Sequence, residues 1–198
     1  MARLKAFDET EVLNKAVELF WHRGYNNTSY SQIVKHLGIN RSSIYDTYGN
    51  KEALFIAALK HYLKASHGGK SPSYEEPRAL IESFFKDKLD SIRSDKNRKG
   101  CFAVNCTVEL AAQADDENSQ LYEVRDILNA NFNYFVNTFS PLFQTYIDQG
   151  KLVKDKDAKQ MAEFLFASIN SIQLMSRQGI EIGVLEGIAH TATEALLS

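Results

Sequence analysis

Arg41, Ser42, Ser43, Asp46 and Thr47 crowd one short stretch with hydrogen-bonding side chains suited to work at groove distance. An arginine there can pair bidentately with a guanine edge or reach a phosphate. Serine and threonine hydroxyls take donor or acceptor roles at bases or backbone. Lys51 follows at the start of a further helical pattern, where it places a point charge beside backbone N–H groups disposed to bind an anion. The chemistry on offer is recognition of a polyanion rather than turnover.

The rest of the chain supplies little for catalysis. No phosphate loop, HExxH or paired CxxC occurs, and His22, His36, His61 and His67 fall at no spacing that builds a metal site. Glu75-Glu76 and Asp115-Asp116 read as helix-start charges and solvated breaks. No enzyme, cofactor or metal is expected. Cys101 and Cys106 raise a thiol-based redox sensor as an alternative. Five residues apart on one helix, their Cα atoms would lie roughly 8–9 Å apart, beyond the roughly 7 Å a disulfide spans, so an internal bridge would require the helix to unwind. A second alternative is a helical module that binds a partner without touching DNA, which would leave Arg41 and Lys51 dispensable.

These residues must be held by local structure, and the pattern is helical throughout. Asp8 caps a first helix with Glu11 three residues on, and Val12, Leu13, Ala16, Val17, Leu19 and Phe20 form one apolar face that ends at Gly24. Thr28-Ser29 opens a second helix, with Ser29 and Gln32 at capping-box spacing and Ile33, Val34 and Leu37 inward. Gly38-Ile39-Asn40 is a tight turn, and Asn40 caps a third helix over 41–48 in which Ile44 and Tyr45 are expected inside. Gly49-Asn50 stops it and starts a fourth helix at 51–66. Two short helices across a glycine-containing turn make a helix-turn-helix unit.

The 198 residues carry a net charge of −2, which read whole argues weakly against nucleic acid. The average hides a split. Residues 1–67 hold nine Lys and Arg against six acids, +3, and four of the five His; the remaining residues hold 14 against 19, −5. A basic head on an acidic body suits a chain whose head alone meets phosphate. No apolar run approaches the roughly 18 residues of a membrane span. The expectation is a cytoplasmic protein with no membrane partner.

The segment Gly24-Tyr25-Asn26-Asn27-Thr28-Ser29-Tyr30-Ser31-Gln32-Ile33, followed by Gly38-Ile39-Asn40-Arg41-Ser42-Ser43-Ile44-Tyr45-Asp46-Thr47-Tyr48-Gly49-Asn50-Lys51-Glu52-Ala53-Leu54-Phe55, resembles the DNA-binding domain of the tetracycline-repressor (TetR) family. The resemblance covers roughly residues 7–62. It implies phosphate contacts at Thr28 and Lys51, with Ser29 beside them. It also implies a recognition surface of Asn40, Arg41, Ser42, Ser43, Tyr45, Thr47 and Tyr48, Tyr45 serving partly as packing. Ser42 stands where Gly is frequent, Thr47 where Tyr or His is frequent, and Tyr48 where Phe is usual. The implied protein is an all-α transcriptional regulator, most simply a repressor released from a double-stranded palindromic operator by a small-molecule effector. A three-helix helix-turn-helix domain at 1–50 would be followed by a connecting helix and flexible loop at 51–73, then an effector and dimerisation domain at 74–198.

Beyond residue 74 the expected helices are Pro77 to about Ile92, 101–113, a long one over 119–149 with a bend at Pro141, 157–178 and 185–197, with polar breaks at 96–100 and 115–118. The helix at 157–178 is apolar almost all round, which calls for burial on more than one side. Burial against a twofold copy, together with the last helix, predicts a homodimer interface of Met161, Leu165, Ile169, Ile172, Leu185, Ile188 and Leu196. The family's use of its last two helices for dimerisation agrees. An effector pocket is expected among Phe84, Phe102, Phe132, Phe135 and Phe139, with Asn105, Glu109 and Gln173 as polar anchors. The resemblance implies that ligand there would shift the 51–66 helix.

Overall fold

The structure is a computed structural model that describes residues 7–67, 75–117, 119 and 121–198. Among these, it consists of α1 (Glu9–Arg23), α2 (Tyr30–Leu37), α3 (Arg41–Tyr48), α4 (Lys51–His67), α5 (Pro77–Ser94), α6 (Phe102–Ala114), α7 (Tyr122–Asp148), α8 (Ala158–Gln178) and α9 (Ile182–Leu197). The loop expected at 67–73 lies, beyond His67, outside the described residues, as does Asn118 of the second expected break. Two compact units result. One joins the described residues up to 67 with those of 105–128; the other joins those of 75–104 with 129–198. The contiguous division expected at residues 50 and 73 does not describe them, because a segment from within 74–198 belongs with the head.

In the first unit each helix boundary has a local cause. The Asp8 carboxylate accepts the Thr10 and Glu11 N–H groups at the start of α1. Gly24, at φ +81°, ends it in a backbone conformation that side chains resist. The Ser29–Gln32 capping box opens α2 and Gly38, left-handed at φ +71°, closes it. Buried Val12, Ala16, Leu19 and Phe20 of α1, Ile33 and Leu37 of α2, Ile44 of α3, and Leu54, Phe55 and Leu59 of α4 form the interior. Phe20 meets Phe55 edge to face at 5.1 Å. Tyr45, expected inside, is 40% exposed; Ile44 alone anchors α3.

The second unit is held chiefly by apolar burial. Leu80, Ile81, Phe85 and Leu89 of α5 share one cluster with Phe139, Phe143 and Ile147 of α7, Leu165, Ile169 and Ile172 of α8, and Leu185 and Leu196 of α9. Each such side chain contributes about 1.5–3 kcal/mol relative to exposure. α9 begins a turn before the expected Leu185, since Glu181 at its N-cap makes no side-chain capping bond that the sequence would advertise. α7 starts at Tyr122 rather than 119 and runs through Pro141 as one helix. Outside the core, Arg78 donates to Glu194 at 2.6 Å and 3.1 Å and to Glu82, while Arg93 donates to Glu186 and Asp90; both arginines tie α5 to α9.

The predicted dimer contacts need correction. Met161, Leu165, Ile169, Ile172, Leu185 and Leu196 are all buried inside their own unit, and Ile188 is half-buried against the same cluster. At 5% exposure or less, the six buried side chains have little area to give a partner copy, whereas Ile188 keeps some. The apolar residues that α8, α9 and their junction leave exposed are instead Phe164, Ile180 and Val184.

Candidate nucleic-acid interface

The recognition segment starts at Asn40, whose side-chain carbonyl accepts both the Ser43 backbone N–H at 2.8 Å and the Ser42 hydroxyl at 2.7 Å. One residue thus caps α3 and orients its first exposed hydroxyl. Buried Ile44 fixes the inner side of α3, which leaves Arg41, Ser42, Tyr45 and Asp46 exposed and Ser43, Thr47 and Tyr48 half-buried. Arg41 does not wave in solvent. Its guanidinium centre lies 4.6 Å from the centre of the Tyr30 ring and 5.4 Å from that of Tyr45, and it donates to the Tyr45 hydroxyl at 3.0 Å. Tyr30 and Tyr45 stack at 5.6 Å and 20°. Hydrogen bonding to Tyr30, then to Arg41, holds the Tyr45 phenol below its ordinary range.

Two phosphate positions implied by the resemblance turn out to be occupied by internal duties. Thr28 is 1% exposed, and its hydroxyl donates to the Gly24 carbonyl at 2.6 Å, which closes the turn after α1. Ser29, next to it, is the exposed hydroxyl at that helix start. Lys51 leans back: its ammonium stands 4.1 Å from the centre of the Tyr25 ring, and burial pushes it below the usual lysine range. The Lys51 N–H donates to the Tyr30 hydroxyl at 3.0 Å, and the Ala53 N–H to Asn50 at 2.8 Å. Those amides are therefore not open to an anion. The Tyr48 hydroxyl is buried without a hydrogen-bond partner, and burial pushes its phenol upward.

Beneath this surface lies a polar brace that the sequence reading assigned elsewhere. Glu109, expected as an effector anchor, spends both carboxylate oxygens on the turn after α1, accepting the Tyr25 N–H at 3.1 Å and the Asn26 N–H at 2.8 Å. Neither oxygen is left to anchor an effector. Gly24 makes room for it, since a Cβ there would lie 2.6 Å from a Glu109 oxygen. Tyr25 is buried, stacks edge to face on Phe55, and donates its hydroxyl to Glu52 at 2.5 Å; burial, then Glu52, drives the phenol well above its ordinary range. Glu109, Tyr30 and Glu52 carry no local spacing signal for these roles, because their partners lie far away in sequence.

Of the other effector candidates, Phe84, Phe132, Phe135 and Phe139 come together in the second unit with Phe166, which the sequence reading left out of the pocket. Phe135 and Phe139 stack at 4.3 Å. Gln173 is half-buried and accepts the Ser176 hydroxyl through its backbone carbonyl. On α6, Phe102 is buried and Asn105 half-buried. Cys101 is half-buried, Cys106 is buried, and neither is in a disulfide. No helix among the described residues is long and apolar enough to cross a membrane, and no group of three or more His, Cys, Asp or Glu among them is placed to hold a metal ion.

Comparison with known proteins agrees with this geometry. A family model described as "Bacterial regulatory proteins, tetR family" matches residues 12–58, and one described as "Tetracyclin repressor-like, C-terminal domain" matches residues 77–179. The chain is 30% identical to the uncharacterized HTH-type transcriptional regulator YezE of Bacillus subtilis, over 89% of this chain and 90% of that protein. It is 26% identical to the HTH-type transcriptional repressor ComR of Escherichia coli, over 96% and 89%. Among solved structures, a cysteine mutant of the TetR-family regulator CifR complexed with 26-bp operator DNA matches with a TM-score of 0.79 and 26% identity, covering 98% of this chain and 99% of that one. The chain belongs to the TetR family of transcriptional regulators.

Proposed function

We propose that this regulator is a repressor that binds a two-fold-symmetric operator as a homodimer and is released by a small molecule. The observation that carries the DNA reading is the edge of α3, where a positioned Arg41 and the capped Ser42 stand exposed beside Tyr45 and Asp46. ComR is named a repressor, and the CifR mutant was solved on operator DNA, which supports the same role here. A dimer would present two such edges to two half-sites. Phe164 at 46% and Val184 at 51% exposed, with Ile180, mark the face of α8 and α9 we assign to it. The effector site is assigned to the aromatic cluster of half-buried Phe84, Phe132 and Phe135 with Phe139 buried behind them, whose rings offer flat apolar contacts. Such a protein works on the bacterial chromosome, in the cytoplasm.

Fluorescence anisotropy with the inverted repeat nearest the chain's own promoter tests the reading. Log affinity should fall linearly with log salt, and Arg41→Ala should cost about tenfold on that duplex and far less on a scrambled one. Equal affinity for the two duplexes, with or without Arg41, would overturn it. Light scattering should give twice the chain mass for the wild type and the chain mass for Phe164→Glu/Val184→Glu.

A further inference from the structure

We infer that Tyr30 is the positioning residue for base reading by Arg41, and so a determinant of operator specificity that makes no base contact of its own. The inference rests on the DNA reading above. An exposed arginine on a short helix ordinarily samples many rotamers, each presenting its fork in a different plane. Here Tyr30, from the first residue of α2, lays its ring against the guanidinium at 4.6 Å. Tyr45 approaches the same group from one turn along α3, with ring and hydroxyl together. The two rings stack on each other, so the guanidinium rests on a platform of two aromatic faces rather than beside a single ring.

The platform is itself held. The Tyr30 hydroxyl accepts the backbone N–H of Lys51, the first residue of α4, at 3.0 Å. With its hydroxyl tied to α4, its backbone in α2 and its ring against α3, Tyr30 cannot swing away without breaking a contact to each neighbour. Arg41 spends one N–H on Tyr45, and a guanidinium has five, which leaves a fork for the two acceptors of a guanine edge. Stacking restricts the plane of that fork, and the restriction converts a general cation into a directional reader. A bidentate contact to a guanine edge depends on that plane, because its two acceptors are fixed in the base pair.

The test uses the full-length protein and the duplex it selects most strongly from a random 26-bp library, against the same duplex with each guanine replaced in turn. Tyr30→Leu should lower the preference for the guanine that Arg41 reads by about fivefold, while the slope of log affinity against log salt stays within one unit of wild type. Tyr30→Phe, which keeps the ring, should retain the preference. In an Arg41→Ala background Tyr30→Leu should change it by less than twofold. An equal loss on every duplex, or the same loss with and without Arg41, would overturn the inference. Should Tyr30→Leu fail to fold by circular dichroism, Arg41→Lys provides the second arm: it keeps the charge and loses the plane, and must lose the preference. NMR of the DNA-free protein gives an independent reading, since the Arg41 side-chain protons should show a ring-current shift that Tyr30→Phe keeps. Random-coil shifts there would overturn the inference by themselves. Failure of the library to enrich any sequence would instead bring down the DNA reading along with it.

Discussion

The two units are held together differently. The first adds to its apolar interior a set of directional polar contacts remote in sequence: Glu109 to the amides of Tyr25 and Asn26, Tyr25 to Glu52, Lys51 to Tyr30. In the second, α5, α7, α8 and α9 meet through a broad apolar cluster, with ion pairs confined to its exposed rim. Directional bonds fix angles, and a reading edge needs its angles fixed. Apolar burial fixes volume and tolerates rearrangement, which suits a unit expected to respond to a small molecule.

The contrast can be broken by substitution, and the largest effect should come from the apolar side. Leu165→Ala, at a fully buried position, should lower unfolding free energy by about 3 kcal/mol in urea, whereas Leu165→Met should cost under about 1.5 kcal/mol because volume is kept. The first unit should show no such tolerance. Glu109→Gln keeps volume yet replaces two acceptor oxygens with one, so it should cost about 1–2 kcal/mol. Gly24→Ala should cost about 2 kcal/mol, through its positive φ and its crowding of Glu109. If Glu109→Gln proved as harmless as Leu165→Met, the distinction between the units would fail. Tyr48→Phe should stabilise by about 1 kcal/mol, since it deletes a buried hydroxyl that has no partner; a melting temperature below wild type would show that the hydroxyl is satisfied.

The smallest effect belongs to the rim. Hydrogen bonding from Arg78 holds the Glu194 carboxyl below its ordinary 4.5, and that from Lys86 holds Asp90 below 3.8. A depressed carboxylate contributes stability that is complete above its unfolded value and lost as pH falls through the folded one. The melting temperatures of wild type and Glu194→Gln should therefore differ slightly at neutral pH and converge in acid, as pH falls from the ordinary carboxylate range through the lower folded value. A gap unchanged by acid would remove Arg78–Glu194 from the stabilising contacts.

The same contrast explains what the sequence made legible. Periodicity of 3.6 residues exposes an apolar face directly, so Val12, Ala16, Leu19 and Phe20 of α1 and Ile33 and Leu37 of α2 were readable as interior. The caps at Asp8, Ser29, Asn40 and Asn50 were readable because cap and helix are neighbours in the chain. Periodicity does not say which copy of the chain covers an apolar face, and so the residues chosen for a dimer proved to be the unit's own core. Nor does spacing reveal a partner at long range. Thr28 and Lys51 carry contacts to the Gly24 carbonyl and the Tyr25 ring that no local spacing announces, and Glu109 looked like a pocket anchor until its two amides came into view.

The brace at Glu109 also sets the order of events during synthesis. The helices of the reading head leave the ribosome as one continuous stretch, yet the carboxylate that fastens the turn after α1 arrives about forty residues later. At ordinary elongation rates that is a delay of roughly 2–8 s. Through that interval the nascent head holds its turn on Gly24, Thr28 and the contacts of Tyr25 with Glu52 and Phe55. The reading edge reaches its final rigidity only when α6 has been made.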